Sequence, residues 1–443
     1  MSSAASTGGL EHPQAQRHSR KIVAAVLGNA MEIYDFSVYA AFAAVIGRMF
    51  FPSSDLNVSL LLSVATFGVG FIARPLGGVV IGAFADRYGR KRAMSLTIWM
   101  MALGSGVIGL LPTYDQIGYA APALLVAARL IQGFSAGGEV GPATTFLLES
   151  APPDQQGLFG SWQLASQNIG NIISGLVGLT IAFGLSKAAA DSWGWRIPFL
   201  LGILIAPLGV YIRRSLVETL DQDKALGSMS AVLSTLFEYD WKTIVLTIMV
   251  FTGVTVTQWF FIYGTTYAIT TLGYSQGVGM SVTLVIGVAG MSFSLLGGLL
   301  ADRYGLKPVS LIARVAITIL LYPAMKYVLA VNDPVVFLVV IAALMALQAI
   351  SGATAIIMMP KAFPAPVRTA GMSISYAVGV ALFGGTAQIV FTWIIGATGD
   401  KLSWIFYIVA MNVVSIIGTL ILRLPTEAAH ERVSDAPILA APW

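Results

Sequence analysis

The chain has 443 residues, 56% of them hydrophobic and only 10% charged, with a net charge of +4 and a mean hydropathy of +0.80. A soluble domain carries about 25% charged residues, so an ordinary water-facing surface is excluded. Without cysteine there is no disulfide, thiolate nucleophile or Cys–zinc or Fe–S site, and the three histidines, His12, His18 and His430, lie in the end segments, so no imidazole can act inside a membrane.

In chain order, residues 1–20 are polar, end basic and carry no small-residue cleavage site, which predicts a disordered cytoplasmic tail rather than a signal peptide. Cutting the hydrophobic profile at charged or Gly/Pro/Asn-marked loops then predicts six membrane helices, spans one to six, at 21–47, 57–84, 92–112, 119–148, 157–184 and 196–213. Residues 214–241, with Glu218, Asp221, Asp223, Lys224, Glu238 and Asp240, read as a cytoplasmic linker. Spans seven to twelve follow at 242–270, 277–300, 307–329, 335–359, 368–397 and 402–423, before a second cytoplasmic tail at 424–443. No charge occurs from Thr243 to Ala301, and the turn at Gly273, Tyr274, Ser275, Gln276 and Gly277 divides that run into two helices.

Between these spans Lys and Arg are sorted, 17 on one face and five on the other, leaving Arg74, Arg129 and Arg314 inside spans. The positive-inside rule places both termini in the cytoplasm, so the basic balance is loop charge and not a nucleic-acid surface.

The halves echo each other. Gly82, Asp86, Arg87, Tyr88, Gly89, Arg90 and Lys91 after span two return as Gly298, Asp302, Arg303, Tyr304, Gly305 and Lys307 after span eight, 216 positions later. A weaker echo pairs Glu149, Pro152 and Gln156 with Lys361, Pro364 and Arg368. Duplication of a six-helix unit accounts for both and predicts two pseudo-symmetric six-helix bundles, residues 21–213 and 242–423, around a midplane site. At the membrane boundary Gly82, Asp86, Arg87, Arg90, Glu149, Asp302, Arg303 and Arg368 can pack closely and form charge-assisted bonds, a candidate cytoplasmic gate; the plainer reading is interfacial anchoring.

The Gly82–Lys91 arrangement and its second copy resemble the major facilitator superfamily over residues 21–423, implying an all-α fold of twelve transmembrane helices. Asn29, Glu32, Tyr34, Asp35 and Phe36, the run Gly137, Gly138 and Glu139, and Trp193, Arg196 and Pro198 resemble its metabolite–proton symporter group, which carries citrate, tricarballylate, α-ketoglutarate, shikimate or betaines. Leu130, Gln132, Gly133 and Gly137, with Gly157, Ser161, Trp162, Gln163, Ser166 and Gln167, look most like citrate and tricarballylate–proton symporters.

Charges inside a membrane default to functional hypotheses. Asp35 falls near mid-depth in span one, and Glu32, three residues earlier, shares its face. Span four places Arg129 near the midplane and Glu139 nearer the cytoplasm. Desolvation favours a neutral carboxyl and a nearby arginine the ionised one, so an Asp35–Arg129 interaction that forms and breaks would load and release a proton. Glu32 and Glu139 are the further coupling candidates. Arg129 or Arg74 could hold a substrate carboxylate in a bidentate contact. Arg74 could equally brace the gate, and Glu139 could pair with it. Arg314, close to the cytoplasmic end of span nine, is expected to snorkel or meet the gate, so the charges at depth all sit in the N-terminal half.

Gln163, Gln167 and Asn171 recur every four residues on span five, and Asn29, Tyr34, Gln258, Tyr263 and Gln348 add polar groups. They are either cavity wall or ordinary interhelical hydrogen bonding.

The reading is a proton-coupled symporter of a small organic acid, citrate above all, working by alternating access as a monomer in a bacterial inner membrane. Its partners are substrate, protons and lipid, with no cofactor and no metal. Alternatives are a shikimate-like monoacid or betaine/proline as substrate, a uniporter or antiporter of the same fold, and, in another class, a polytopic membrane enzyme. No Walker G-x-x-x-x-G-K-[ST] sequence occurs, which removes ATP-driven transport by this chain alone.

Overall fold

A computed structural model describes residues 29–88, 90–137, 140–214, 229–364 and 368–424. The expected tails, the start of span one, and Glu139 lie outside them, as does half of the linker, residues 215–228.

Every described element is helical. Seven single helices are long and apolar enough to cross a membrane. An eighth candidate is span one, built as Asn29–Ala41 and Ala43–Phe50 with a bend of 62° between them. Span five, Gln156–Gly184, has the length at 29 residues, but its amide side chains lower its hydropathy. Span four is interrupted between Ala120–Ala136 and Val140–Glu149. Span eleven runs Arg368–Gly379, passes through a π-helical turn at Val380–Gly384 and resumes at Gly385–Thr398. The breaks in spans four and eleven fall at glycines, Gly137 and Gly379 to Gly384, and irregular backbone at membrane depth is tolerated where protein surrounds it. Span seven begins earlier than its hydropathy predicts: Met229–Thr270 is one helix of 42 residues, so the end of the expected linker continues it.

Turn chemistry explains the duplicated glycine. Gly305, at φ 90°, separates Gln276–Tyr304 from Leu306–Val331 in the left-handed region that glycine tolerates. Asp333 then caps Pro334–Lys361, accepting from the amides of Val335 and Val336 at 2.7 and 3.0 Å.

The halves meet along two seams. Span five crosses span eight on small residues from end to end. A Cβ on Gly157 or Gly298 would run into the other's carbonyl oxygen, one on Gly175 would meet Leu284, and Phe183 packs on Gly277. Span two meets span eleven in the same way at Gly68 and Gly385. Without a hydrophobic force between helices in lipid, such close backbone approach is what holds them. The first and seventh spans also touch, Thr266 donating to the Ala40 carbonyl at 2.8 Å. The two halves are therefore in contact at both ends of the seam, with a cavity between them.

Candidate transport site

Span one is pinned on two sides. Asn29 donates to the Gln163 carbonyl and to Ser166 Oγ, both at 2.7 Å, and Ser37 donates to Asn171, which ties it to span five. Tyr34 donates to the Pro198 carbonyl at 2.8 Å and ties it to span six. These bonds set the rotation of the helix and turn Glu32 and Asp35 inward.

Glu32 pairs with Arg74 of span two at 2.9 Å, with 4% and 3% of the two side chains exposed. The Arg74 guanidinium lies over Phe36 and Phe71, at 4.7 and 4.4 Å from the ring centroids. Phe36 also receives Arg129 at 4.9 Å, so one ring separates the two arginines; Tyr39 and Phe67 complete the stack on Arg129 at 4.4 and 5.1 Å. Aromatic faces stabilise a desolvated cation by about 2 kcal/mol. That places two guanidinium groups in a low-dielectric interior with one ion pair between them and the acids.

Asp35 and Arg129 make no direct ion pair. Arg129 donates to Gln132 at 2.7 Å and Gln132 donates to Ser105 of span three at 2.8 Å, while Asp35 and Ser105 lie side by side against Gly202. The interaction that the sequence predicts runs through this chain of side chains. Gln132, three residues after Arg129 on the same face, was legible from its spacing; Ser105 carries no sequence signal.

Between the bundles lies a cavity of about 40 Å³, bordered by Arg74, Gln167 and Asn171 on one side and Thr255, Gln258, Trp259 and Tyr376 on the other. Tyr376 stands beside Gln167 and Arg74 on the cavity wall. Trp259 reaches across from span seven and meets Phe71 edge-on at 4.9 Å and Phe67 at 5.4 Å. Space for one water takes about 10–15 Å³, so this closed form has room for a few waters and a carboxylic acid needs the bundles to part. Of the predicted substrate ligands, Arg74, Gln167, Asn171 and Gln258 border the cavity. Arg129, Asn29, Tyr34, Gln163, Tyr263 and Gln348 do not: Tyr263 accepts from Thr392 at 3.0 Å, and the others are engaged within their bundles or buried behind the wall. Trp259 and Tyr376 were missed, since an aromatic residue on an apolar span has no contrast with its neighbours.

Arg314 neither snorkels nor meets the gate. It is 2% exposed, and its Nη1 donates to Gln348 at 2.8 Å, Asn412 at 3.2 Å and the Gly253 carbonyl at 3.3 Å. The interior charges are therefore not confined to the N-terminal half. Proximity to a span's end in sequence did not reveal that spans seven, ten and twelve surround this position.

At the gate, Asp302 accepts from the backbone amides of Gly157 at 2.6 Å and Leu158 at 2.9 Å, binding the first turn of span five. An acceptor anion at a helix N-terminus also gains from the macrodipole. Arg303 stacks on Tyr304 at 5.3 Å, Glu149 is exposed and Arg368 half-buried. The side chains of Gly82, Asp86, Arg87 and Arg90 lie outside the described ones. Among the described residues no cluster of three or more acidic or histidine side chains could hold a metal ion.

Two helical halves, two small-residue seams and a cavity with polar groups between them are the arrangement of a membrane transporter. The family described as sugar (and other) transporter matches residues 21–220 and 213–429. The chain is 35% identical over 379 residues to the citrate-proton symporter of Salmonella typhi, covering 85% of this chain and 87% of that one. It is 31% identical over 438 residues to the glycine betaine/proline/ectoine/pipecolic acid transporter OusA of Dickeya dadantii, covering 95% and 87%. Among solved structures, the major facilitator superfamily proton:xylose symporter XylE bound to 6-bromo-6-deoxy-D-glucose superposes with a TM-score of 0.76 at 16% identity, covering 95% of this chain and 99% of that one.

The chain belongs to the sugar (and other) transporter family, within the major facilitator superfamily. It is a multi-pass membrane transporter and not an enzyme.

Proposed function

We propose that the protein is a proton-coupled symporter of a small organic acid, a di- or tricarboxylate of the citrate type, which works by alternating access in a bacterial inner membrane with both termini cytoplasmic. The observation that carries this reading is Asp35, a buried carboxyl beside Ser105, which Gln132 joins to Arg129, on the same helix as Glu32, whose partner Arg74 borders the central cavity. Similarity to citrate-proton symporters supports the substrate class.

In this mechanism Asp35 takes a proton when the cavity opens outward, and Arg74 offers its guanidinium to a substrate carboxylate, with Gln167, Asn171 and Gln258 orienting the remaining oxygens. Closure of the seams around the loaded site and opening at the Asp302 end deliver both. Anion entry against a negative interior costs about 2.3 kcal/mol per charge per 100 mV, and co-transported protons offset that cost. Arg129 acts here on Asp35 and not on substrate.

A second reading, a betaine or proline symporter, is favoured by Trp259 and Tyr376 at the cavity, because aromatic faces hold quaternary ammonium groups, and by the similarity to OusA. Uptake of labelled citrate, shikimate and glycine betaine into proteoliposomes, with and without an inward proton gradient, separates these readings. Gradient-driven citrate accumulation is expected. Absence of citrate uptake removes the substrate, and gradient-independent accumulation removes symport.

A further inference from the structure

Behind span one, away from the central cavity, lies a separate chamber of about 20 Å³ between spans one, three, four and six. Glu32 and Asp35 both line it, together with Thr97, Ala102, Ser135 and Gly202. A single water occupies about 10–15 Å³ on this measure and needs two to four polar partners; the chamber has room for one and offers two carboxyl groups. Asp35 is 6% exposed, and its Oδ1 has no protein hydrogen-bond partner. Residues three apart on a helix hold their Cβ atoms about 5–6 Å from each other, a gap that one water bridges. Glu32 in turn pairs with Arg74 at 2.9 Å, and Arg74 borders the central cavity. The chamber and the cavity share no lining residue. Their connection is this ion pair.

We propose that the chamber is a water site through which the proton passes from Asp35 to Glu32, and that arrival of the proton at Glu32 frees Arg74 for the substrate carboxylate. This rests on the proton-symport reading above. In the step, the Asp35 carboxyl gives its proton to the water, and the water gives one of its own to the Glu32 carboxylate. Asp35 ends ionised beside the Ser105–Gln132–Arg129 chain, and Glu32 ends neutral. No charge is created or lost. The charged and titratable groups facing the two acids are Arg74 of span two, Arg129 of span four, Tyr34 of span one itself and Tyr376 of span eleven. Substrate and proton are thereby coupled by competition for one guanidinium: Arg74 serves the Glu32 carboxylate or the substrate, and the proton decides which.

The test fills the chamber without touching a titratable group. Ala102, 5% exposed on span three, becomes Val in one variant and Ser in the other. A102V is expected to slow gradient-driven citrate accumulation at least tenfold while citrate–citrate exchange, which needs no net proton release, stays within twofold; A102S leaves room for the water and keeps both. Wild-type accumulation in A102V overturns the relay. If D35N has lost accumulation in the same assay, the symport reading stands without it; if D35N also accumulates, that reading has failed as well. Should A102V lose exchange too, carboxyl-band infrared difference spectra of the wild type, recorded on adding ¹³C-labelled citrate at acidic pH, decide the matter. A protonated-carboxyl band that appears with citrate and vanishes in E32Q supports the relay, and one that persists in E32Q refutes it.

Discussion

Asp302 offers the sharpest quantitative handle on the switching step. Its two oxygens accept from the Gly157 and Leu158 amides across the seam, so the pair exists only while the halves are closed at that end. A hydrogen bond to a charged acceptor contributes about 1.5–3 kcal/mol and a neutral one about 0.5–1.5 kcal/mol. Asp302 is exposed and its bonds are partly open to solvent, which puts each near the lower end. Asp302→Asn retains one neutral bond, turns a donor toward the second amide and removes the charge from the helix terminus, a loss of about 2 kcal/mol. At about 1.4 kcal/mol per decade, the closed-to-open ratio at that end falls about 30-fold. The cysteine-free sequence makes the assay direct: Thr255→Cys places a single thiol at the cavity wall. In inverted vesicles, alkylation by an impermeant maleimide is expected to accelerate by about that factor in D302N. An unchanged or slower rate would refute the claim that this contact holds the halves together.

Other contacts give further expectations. Gly298→Val drives a side chain into the Gly157 carbonyl and Ser161; it should raise the same labelling rate, and combined with D302N it should fall short of the summed effects, because the two sites share one seam. Arg314→Lys keeps the charge but loses the fork that reaches Gln348, Asn412 and Gly253 together; unfolding in detergent should show a loss of about 1–3 kcal/mol, and an unaltered Tm would mean these bonds carry no stability. Trp259→Leu preserves apolar bulk at the cavity and removes the aromatic face. Citrate KM should stay within about threefold, whereas glycine betaine, if carried, should bind about 30-fold more weakly, since a desolvated cation–π contact is worth about 2 kcal/mol. A large rise in citrate KM would place Trp259 in direct contact with the acid.

The parts of this protein legible in its sequence are those where polarity contrasts with lipid. Asp35, Glu32, Arg74 and the span-five amides stand out because each is costly in a bilayer, and all but Gln163 prove to line the chamber or the cavity or to pair at their edge. The Asp302–Gly305 echo was visible as a repeat, and the structure supplies its physics: an anion for the N-terminus of span five across the seam and a glycine that can adopt φ 90°. What stayed hidden depends on which helices are neighbours. Arg129 at mid-depth reads as a substrate ligand until Phe36, Tyr39 and Phe67 are seen to enclose it. Gln348 reads as cavity wall until Arg314 is found beside it. Composition fixes depth, whereas the role of a buried polar group is fixed by its rotation on the helix and by the span that faces it.

The two buried arginines outside the cavity wall show how a duplicated architecture can acquire a direction. Arg129 sits on span four, bonds Gln132 and lies behind span one; Arg314 sits on span nine, bonds Gln348 and lies behind span seven. Each anchors the first helix of its half. Span one carries Glu32 and Asp35 toward its arginines, while span seven has no charge from Thr243 onward. A guanidinium stays protonated in proteins, so Arg314, held by neutral acceptors alone, has a single charge state and a fixed set of partners. Arg129 has a neighbour whose charge can change. On the proposed mechanism, a proton gained at Asp35 alters the balance within one half only, and we propose that the change is felt at the seams between the halves. Those seams consist of glycine contacts and a few hydrogen bonds such as Asp302–Gly157, each small enough for a single charge event to outweigh. In the proposed mechanism, that disparity between a half of fixed charge and a titratable one is what lets a proton gradient drive an otherwise symmetric motion.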